Sequence, residues 1–485
     1  MCVRGKILRL SVLILSAFIF VLLFSAASSP LYEYDMSEDS VMFKVIGRGW
    51  SEGVLPYVGL WDSKGPFIFF INALGYALSG SDSNLGIFFI EILTVFSTLL
   101  VVYHWLSHSY GSRQSLLLTL VVLAGLSCNY DWGNMNAEYV LPFITLSFYL
   151  MYRWMSAVSF SGCYEHKASY AFVYGIVLGL SMMSRLTNAL GVCTGALIIA
   201  FFLFRNKLWK CLFRNIALFL AGTAVTVLPF AVYFGVHGAF SDMLYGSLLY
   251  NIGYSSTLYK DSGIESLISL PFNALFCFLL VIVSLAIIRG GRMVHGVLWL
   301  SVSVVTVFYL FISCGRYNYG IITLPYLCAF FVELKESCTV SRRLRMATAG
   351  VALLFVFLIF TRRVLFINEN KNYTANEVEK AVDILSCIPS DERHSFIAYN
   401  CNTSVYLLTG INPVYPYFTV QDWAVYNNQS LKPRLLAEYS RCEAKWLLFK
   451  GDIDGSVIKK ILEDKYSIIK TDNEFEYSLF RLVEN

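Results

Sequence analysis

Charged residues are scarce in this sequence of 485 residues. Asp, Glu, Lys and Arg together make up 14% of the chain, against about 25% in soluble domains. Hydrophobic residues make up 57%, against roughly 45 to 50%, which excludes an ordinary soluble protein and indicates a polytopic membrane protein. The formal net charge is only +4, and the basic residues cluster in short loops. The sequence therefore favours a lipid bilayer and excludes nucleic acid as a partner.

Metal-binding patterns and repeats are also lacking. The twelve cysteines include no Cys-x-x-Cys pair and no Cys/His spacing typical of a metal site. Most lie in apolar segments, where a thiol behaves as a small hydrophobic side chain. Only Cys387, Cys401 and Cys442 lie in a polar region, and their odd number leaves at least one without an internal partner. The redox compartment is therefore undecided from the sequence.

Long apolar runs, by contrast, are abundant. A helix that crosses a bilayer needs about 20 predominantly apolar residues, and runs near that length predict about eleven spans. The predicted spans lie near residues 10–27, 86–105, 115–128, 140–157, 168–184, 187–204, 216–235, 267–288, 296–313, 319–334 and 346–361. The first run follows three basic residues and is longer than the apolar core of a signal peptide. We interpret it as a retained anchor with a cytoplasmic N-terminus.

Basic residues are distributed unevenly between the two predicted sides. With the N-terminus inside, most Lys and Arg residues fall in cytoplasmic segments, in agreement with the positive-inside rule. The short outer loops hold only Lys44, Arg48, Lys64, Arg185, Lys260 and Arg316. This asymmetry places the C-terminus outside the cytoplasm, with the Arg362-Arg363 pair after the last span as the exception.

A polar segment follows the last span. From about Asn368 the composition is mixed, with apolar stretches at 395–399 and 445–449 and helical patterns around 375–386 and 456–465. This pattern predicts a small α/β domain. We therefore predict two domains, a transmembrane domain over residues 1–365 and an extracytoplasmic domain over residues 366–485. Nothing in the second is typical of a catalytic site.

The loop after the first span, residues 28–66, carries the densest group of ionisable residues at the predicted membrane surface. It contains Asp35, Asp39 and Asp62, followed by Lys64 in a Lys-Gly-Pro motif. Ionisable groups are costly to hold near a bilayer and often mark a functional site. The apolar segment 67–78 is too short for a span, and we interpret it as an interfacial or re-entrant helix. An ordinary solvated loop is the alternative.

Further polar residues fall on the same predicted side. They are Glu138 in the loop 129–139, Arg185 with Asn188 inside a long apolar stretch, and Arg316 among tyrosines. Interfacial aromatic anchors and a snorkelling arginine are the alternatives to a functional role. Together with the first loop, these residues would place a carboxylate and several cations on one face of the membrane. Such a set suits proton removal from an attacking hydroxyl or amine while cations neutralise a departing phosphate.

The order of motifs resembles a known family. Asp39, Gly53, Pro56-Tyr57 and Lys64-Gly65-Pro66 resemble the first outer loop of bacterial GT-C glycosyltransferases of glycosyltransferase family 39. That family includes protein O-mannosyltransferases and the aminoarabinose transferase that acts on lipid A. Later likenesses are Glu138 to Phe143, Arg185-x-x-Asn188-Ala189 and Arg316-Tyr317-x-Tyr319. The resemblance covers roughly residues 10–335, or most of the predicted membrane domain.

The resemblance implies an enzyme of the bacterial inner membrane. It would move a sugar, with inversion, from a polyprenyl-phosphate donor to a lipid, glycan or protein acceptor outside the cytoplasm. The implied fold is a helical GT-C membrane domain with an extracytoplasmic α/β domain. The implied residues are Asp39 as base, with Asp35, Asp62 and Glu138 as candidate second acids, Lys64, Arg185 and Arg316 at the donor phosphate, and Tyr57, Asn188, Tyr317 and Tyr319 as candidate substrate contacts.

Two departures from the family pattern leave the cofactor open. The chain has Val58-Gly59 where related loops often carry an acid, and Ala137-Glu138 where they carry two glutamates. A divalent cation is therefore an open cofactor, and acceptor contacts can differ from those of relatives. Two other functions remain as alternatives. A flippase or transporter of lipid-linked saccharide would have charges within its spans, where Glu91 is the main acid. A polysaccharide polymerase or ligase would use a large late loop, such as 237–265.

Overall fold

The computed structural model describes residues 3–80, 83–127, 129–252, 274–313, 317–336 and 341–483. This part of the chain is mainly helical, with one small sheet near the C-terminus. The helices are α1 (Val3–Phe24), α2 (Glu38–Ser51), α3 (Pro66–Ser79), α4 (Leu85–Leu106), α5 (Ser112–Leu126), α6 (Leu141–Ser161), α7 (Ala168–Met182), α8 (Leu190–Arg205), α9 (Trp209–Val236), α10 (Phe240–Leu244), α11 (Leu275–Arg289), α12 (Met293–Ile312), α13 (Leu324–Glu336), α14 (Arg342–Leu385), α15 (Ser404–Thr409), α16 (Gln421–Asn427), α17 (Lys432–Tyr439) and α18 (Lys459–Lys465). The strands are β1 (Phe396–Tyr399), β2 (Trp446–Lys450), β3 (Tyr466–Asp472) and β4 (Tyr477–Leu482).

The predicted helical membrane architecture is confirmed. Each of the eleven predicted spans overlaps a described helix, because continuous apolar runs of that length satisfy their backbone hydrogen bonds internally only as helices. Helical segments long and apolar enough to cross a bilayer are Gly5–Phe24, Leu85–Leu106, Leu186–Arg205, Trp209–Val236, Met293–Ile312 and Arg342–Leu365. The apolar helices α3, α5, α7 and α11 are shorter. The number of crossings stays a prediction.

Two short helices of the first loop pack closely between α1 and α4. The predicted interfacial helix over 67–78 falls on α3, which begins with Pro66 in its first turn and ends at Gly80, where φ is +89°. Gly47 of α2 lies directly against α3. A Cβ at Gly47 would come within 2.4 Å of the Cβ of Asn72, so only glycine permits this close approach. The depth of α3 in the bilayer stays a prediction.

The C-terminal region forms the predicted small α/β domain. Its sheet has the strand order β1-β2-β4-β3, with β1 and β2 parallel and the other pairs antiparallel. The predicted apolar stretches at 395–399 and 445–449 coincide with β1 and β2. These strands are almost entirely buried, as a continuous apolar run in a covered sheet predicts. The helix α14 continues without interruption across the predicted domain boundary at 365/366.

This C-terminal domain packs directly on the first loop. Arg48 of α2 is buried and its Nη2 donates to Ile411 O at 2.9 Å and to Asn412 Oδ1 at 3.0 Å. Trp61 N donates to Pro416 O at 2.9 Å. Both contacts require the domain and the first loop to lie on the same side of the helical bundle.

Arg363 lies at that same end of the bundle. Its Nη2 donates to Tyr130 O at 2.7 Å, and its guanidinium lies 4.2 Å from the centre of the Trp132 ring. The loop between α5 and α6 thus neutralises the backbone demand of a cation that the positive-inside rule leaves as an exception. Arg363 is therefore compatible with the side of the bundle that carries the first loop.

Candidate active site

The first turn of α2 carries Asp39. Ser37 caps this helix, because its Oγ accepts a hydrogen bond from Ser40 N at 3.3 Å and so satisfies one of the amides at the helix N-terminus. A negative charge in the first turn is also favoured by the helix dipole. Asp39 is partly buried, and its carboxylate makes no hydrogen bond or ion pair with any other residue in the described ranges. Both of its oxygens are therefore available to a substrate.

A buried amide network fixes the start of α2. Asn134 Nδ2 donates to Ser40 Oγ at 3.0 Å and to Asn72 Oδ1 at 2.9 Å. In return, Asn134 Oδ1 accepts from Asn72 Nδ2 at 3.1 Å and from the Tyr139 hydroxyl at 2.8 Å. The amide of Asn134 therefore uses all its donors and both acceptor positions. This network ties α2, α3 and the loop before α6 to one another, and so orients Asp39.

A second buried network contains Glu138. The Tyr130 hydroxyl lies 2.8 Å from Glu138 Oε1 and 3.0 Å from Glu91 Oε1, and Glu91 also accepts hydrogen bonds from Ser25 and Ser28. Since a hydroxyl has one hydrogen to donate, one of the two carboxyls must itself donate to Tyr130. Burial, and then the Glu91 carboxylate, raise the pKa of Glu138 well above its ordinary value, which makes Glu138 the protonated partner. Glu138 is 1% exposed and is occupied by this network.

Asp35 is paired within the first loop. Its carboxylate lies 2.9 Å from Lys44 Nζ, and both side chains are almost completely buried. Lys44 Nζ also donates to Ala27 O at 2.6 Å, and Asp35 Oδ1 accepts from Ser37 N at 2.9 Å. A buried carboxylate committed to a lysine is a structural ion pair, and its removal would leave an uncompensated charge.

Asp62 lies beside Lys64, near Asp39. Its Oδ2 accepts a hydrogen bond from Lys64 N at 3.0 Å, and the Tyr57 hydroxyl donates to Lys64 O at 2.8 Å. Burial raises the pKa of Asp62, while the Lys64 charge lowers it and the negative charge of Asp39 raises it. Asp39 and Asp62 are thus electrostatic neighbours. Asp62 and Tyr57 together fix the backbone of Lys64 from both sides.

The segment Lys64-Gly65-Pro66 packs on the end of α7. Gly65 N donates to Ser184 O at 3.2 Å and Phe67 N donates to Met183 O at 2.8 Å. A Cβ at Gly65 would lie 2.2 Å from the carbonyl carbon of Met183, so no other residue fits without moving the backbone. This contact brings Lys64 and Arg185 to adjacent positions, as the predicted phosphate site requires.

Arg185 is held by an amide and an aromatic ring. Its Nε and Nη2 donate to Asn188 Oδ1 at 3.1 and 3.0 Å, and its guanidinium lies 4.0 Å from the centre of the Tyr319 ring. Tyr309 stacks on Tyr319 from behind, with the two rings 7° from parallel. Asn188 is 1% exposed, and its Nδ2 has no hydrogen-bond partner in the described part of the chain. An oriented guanidinium beside an unused buried amide donor suits an anion.

Not every predicted site residue has a described place. Arg316 lies outside the described residues, as does the side chain of Tyr317, so their predicted roles stay predictions. The structure adds Ser40, Asn72 and Asn134, which the sequence reasoning did not single out. Asn72 is a lone amide in the apolar run of α3, and that isolation is the signal that could have identified it.

A cofactor site is not formed by the described residues. Within the ranges given above, no three His, Cys, Asp or Glu side chains come together as metal ligands would. Asp39 and Asp62 are the two carboxylates that lie together near Lys64. No step proposed below requires a metal.

The comparisons with known proteins agree with this geometry. Residues 63–234 match the family model of dolichyl-phosphate-mannose-protein mannosyltransferases. The structure of ArnT from Cupriavidus metallidurans bound to undecaprenyl phosphate superposes with a TM-score of 0.59 at 10% identity, over 100% of this chain and 99% of that one. The chain has the GT-C fold. The resemblance to GT-C glycosyltransferases of the mannosyltransferase and ArnT type, inferred from the sequence, is therefore confirmed.

Two further structures share the GT-C fold. The apo form of the same ArnT superposes with a TM-score of 0.57 at 11% identity, over 99% of this chain and 98% of that one. The Archaeoglobus fulgidus oligosaccharyltransferase in complex with Zn and sulfate superposes with a TM-score of 0.52 at 12% identity, over 96% of this chain and 72% of that one. No curated protein matches the sequence significantly. The segment matched by the family model includes Lys64, Arg185 and Asn188, whereas Asp39 precedes it.

Proposed function

We propose that this GT-C protein is a membrane glycosyltransferase that takes its sugar from a polyprenyl-phosphate donor. The observation that carries the proposal is the placement of Lys64 next to Arg185 through the Gly65–Ser184 contact, with the unused amide of Asn188 beside them. Two cations and an amide donor at the edge of apolar helices suit a phosphate attached to a lipid tail. The similarity in fold to an ArnT structure bound to undecaprenyl phosphate supports the same donor class.

In the proposed reaction, Asp39 is the base. The acceptor hydroxyl or amine attacks the anomeric carbon from the face opposite the phosphate, and Asp39 takes its proton. The bond between the anomeric carbon and the phosphate oxygen breaks, and its electron pair stays on the phosphate. Lys64 and Arg185 neutralise the negative charge that develops there. Attack from the opposite face inverts the anomeric configuration, and polyprenyl phosphate leaves.

The other candidate acids have different roles in this proposal. Asp35 is neutralised by Lys44, and Glu138 is buried and shares the Tyr130 hydroxyl with Glu91. Asp62 binds the amide of Lys64 and positions that lysine. Of the four, Asp39 is the carboxylate without a hydrogen-bond or ion-pair partner among the described residues. It also lies on the side of the bundle that carries the C-terminal domain, where a lipid, glycan or protein acceptor can approach.

The alternative functions have weaker support. A transporter would need an ionisable group along a pathway, whereas Glu91 is surrounded by hydrogen bonds from Ser25, Ser28, Tyr130 and the Asn134 amide. A polymerase or ligase would use the 237–265 loop, of which residues 253–265 lie outside the described residues. We propose a bacterial inner-membrane location with the C-terminal domain outside the cytoplasm, since the positive-inside pattern and the shared side of domain and first loop support it.

The proposal is tested by donor cleavage. Purified protein in nanodiscs is incubated with undecaprenyl phosphates that carry mannose, glucose, galactose, arabinose or aminoarabinose, and the release of free undecaprenyl phosphate is followed. We expect release with at least one donor, and we expect Asp39→Asn to lower it by about 100- to 10,000-fold, the usual contribution of a general base. Equal release by the wild type and Asp39→Asn would move the base elsewhere, and no release with any donor would reject the donor class.

A further inference from the structure

A second cavity lies beside the candidate active site, between the first loop and the C-terminal domain. It has a volume of about 340 Å³ and is open on one side, a size in the range of sites for small ligands, roughly 300 to 1,000 Å³. Its walls come from the first loop, from the segment around α10, and from the C-terminal domain on both sides of α17. The C-terminal domain thus completes a site that the membrane domain alone does not form.

Aromatic side chains dominate the wall of this cavity. Trp61 lies with its ring centre 5.3 Å from that of Tyr417 and 5.0 Å from that of Tyr250, and Tyr57 and Tyr245 also line the space. Trp61 is 7% exposed, and its Nε1–H has no hydrogen-bond partner among the described residues. A buried indole N–H usually has a partner, so this donor indicates a ligand acceptor atom.

Charged groups complete the cavity. The Arg434 guanidinium lies 4.0 Å from the centre of the Tyr245 ring, and Glu438 on the same helix lies 3.0 Å from Arg441. Asp242 lines the opposite wall. Two carboxylates and one arginine offer hydrogen bonds of both kinds to hydroxyl groups, and their combined charge disfavours an anion. Flat apolar rings edged by such groups match a sugar, which has an apolar face and a rim of hydroxyls.

The cavity is continuous with the candidate active site along the chain. Trp61 directly precedes Asp62, and the Tyr57 hydroxyl donates to Lys64 O at 2.8 Å. A sugar bound against Trp61 would therefore lie next to the residues that position Lys64. We propose that this cavity binds a saccharide of the acceptor, neutral or amino-substituted. The inference rests on the proposed glycosyl transfer for the word acceptor, and on the cavity alone for the saccharide.

Binding is measured without turnover, by saturation-transfer-difference NMR on the full-length protein in nanodiscs free of glycosidic detergent. The probes are the methyl glycosides of mannose, galactose and glucosamine, with methyl glucuronoside as the anionic comparison. We expect saturable binding of at least one neutral or amino glycoside and weaker binding of the glucuronoside. Arg434→Gln and Trp61→Phe should each weaken binding about tenfold, the effect of one lost hydrogen bond of about 1.4 kcal/mol.

Matched controls separate this effect from charge and from folding. Lys432→Gln removes the same charge from the same exposed face of α17 but lies outside the cavity, and Asp39→Asn changes the candidate base. Neither should alter glycoside binding. Undiminished binding to Arg434→Gln and Trp61→Phe, or no binding to the wild type, would overturn the saccharide site.

The donor assay distinguishes the two proposals. Release of undecaprenyl phosphate to water, in the absence of an acceptor, should be within about twofold of wild type in Arg434→Gln, since a lost contact outside the donor site leaves donor chemistry unchanged. Donor cleavage without cavity-dependent glycoside binding would overturn the saccharide site and leave the glycosyltransferase proposal in place. Glycoside binding that depends on Arg434, without any donor cleavage, would support the saccharide site and reject the glycosyltransferase proposal.

Discussion

Lys64 and Arg185 flank one backbone contact, in which Gly65 N donates to Ser184 O at 3.2 Å. The two cations are 121 positions apart in the sequence, by subtraction of their residue numbers. Their proximity depends on a glycine, because a Cβ at Gly65 would lie 2.2 Å from the carbonyl carbon of Met183. The Lys-Gly-Pro motif is thus explained by packing as well as by chemistry.

Gly65→Ala should separate the two cations. The added methyl group forces the first loop away from α7, at a cost of about 1 to 3 kcal/mol in the free energy of unfolding, as for other overpacked sites. Donor kcat/KM should fall at least about tenfold, because each 1.4 kcal/mol of lost transition-state stabilisation is tenfold in rate. Donor release assays and thermal unfolding measure the two effects. Gly111→Ala is the control, since a Cβ there meets nothing within 4 Å; equal activity of both variants would contradict this account.

Asp39→Asn and Asp35→Asn should fail in different ways. Asp39→Asn removes a carboxylate without a described partner, so activity should fall about 100- to 10,000-fold with the melting temperature little changed. Asp35→Asn leaves Lys44 as an uncompensated buried charge and should cost about 3 to 5 kcal/mol in the free energy of unfolding. Thermal unfolding and donor release of both variants decide between them. A stable, inactive Asp35→Asn beside an active Asp39→Asn would assign the base to Asp35.

Asn188→Ala should weaken donor binding. The substitution removes both hydrogen bonds that orient Arg185 and the unused Nδ2 donor. Hydrogen bonds to charged groups contribute about 1.5 to 3 kcal/mol, so the donor KM should rise at least about tenfold. The stacked Tyr319 ring should keep Arg185 in place well enough for folding. Steady-state kinetics over a donor series measure this, with Asn206→Ala at the far end of α8 as control; an unchanged KM would remove Asn188 from the phosphate site.

Stability should depend on pH through Glu138. Its pKa is raised above the ordinary value of 4.5 in the folded protein, so the folded state binds the proton more tightly than the unfolded chain. Its contribution to stability is therefore present at low pH and is lost as the pH rises from 4.5 through the raised folded pKa. Glu138→Gln, which stays neutral, should lose less melting temperature than the wild type between pH 5 and pH 8.

The control for this pH dependence is Glu165→Gln, because Glu165 is exposed. Its melting temperature should follow the wild-type pH profile. The measurement is thermal unfolding of the three proteins across the same buffers. Identical pH profiles for the wild type and Glu138→Gln would mean that Glu138 is ionised in the folded protein.

Hydropathy and local motifs explain how much of the fold could be predicted. Apolar runs such as Leu85–Leu106 are long enough to require a helix in a bilayer, so all eleven predicted spans overlap helices. The buried strands β1 and β2 were predicted from continuous apolar stretches for a similar reason. Lys64 and Arg185 were predicted together at the phosphate because both stand out as cations among apolar residues. Their adjacency is what the structure adds.

The sequence by itself determined the membrane class, the helical segments and the set of ionisable residues at one face, because each of these depends on composition and local periodicity. The tertiary structure alone decided which residues have partners. It pairs Asp35 with Lys44, buries Glu138 against Tyr130, and leaves the carboxylate of Asp39 without a described partner. It also places the C-terminal domain against Trp61 to form a cavity. These features depend on contacts between residues far apart in the chain, and periodicity carries no information about such contacts.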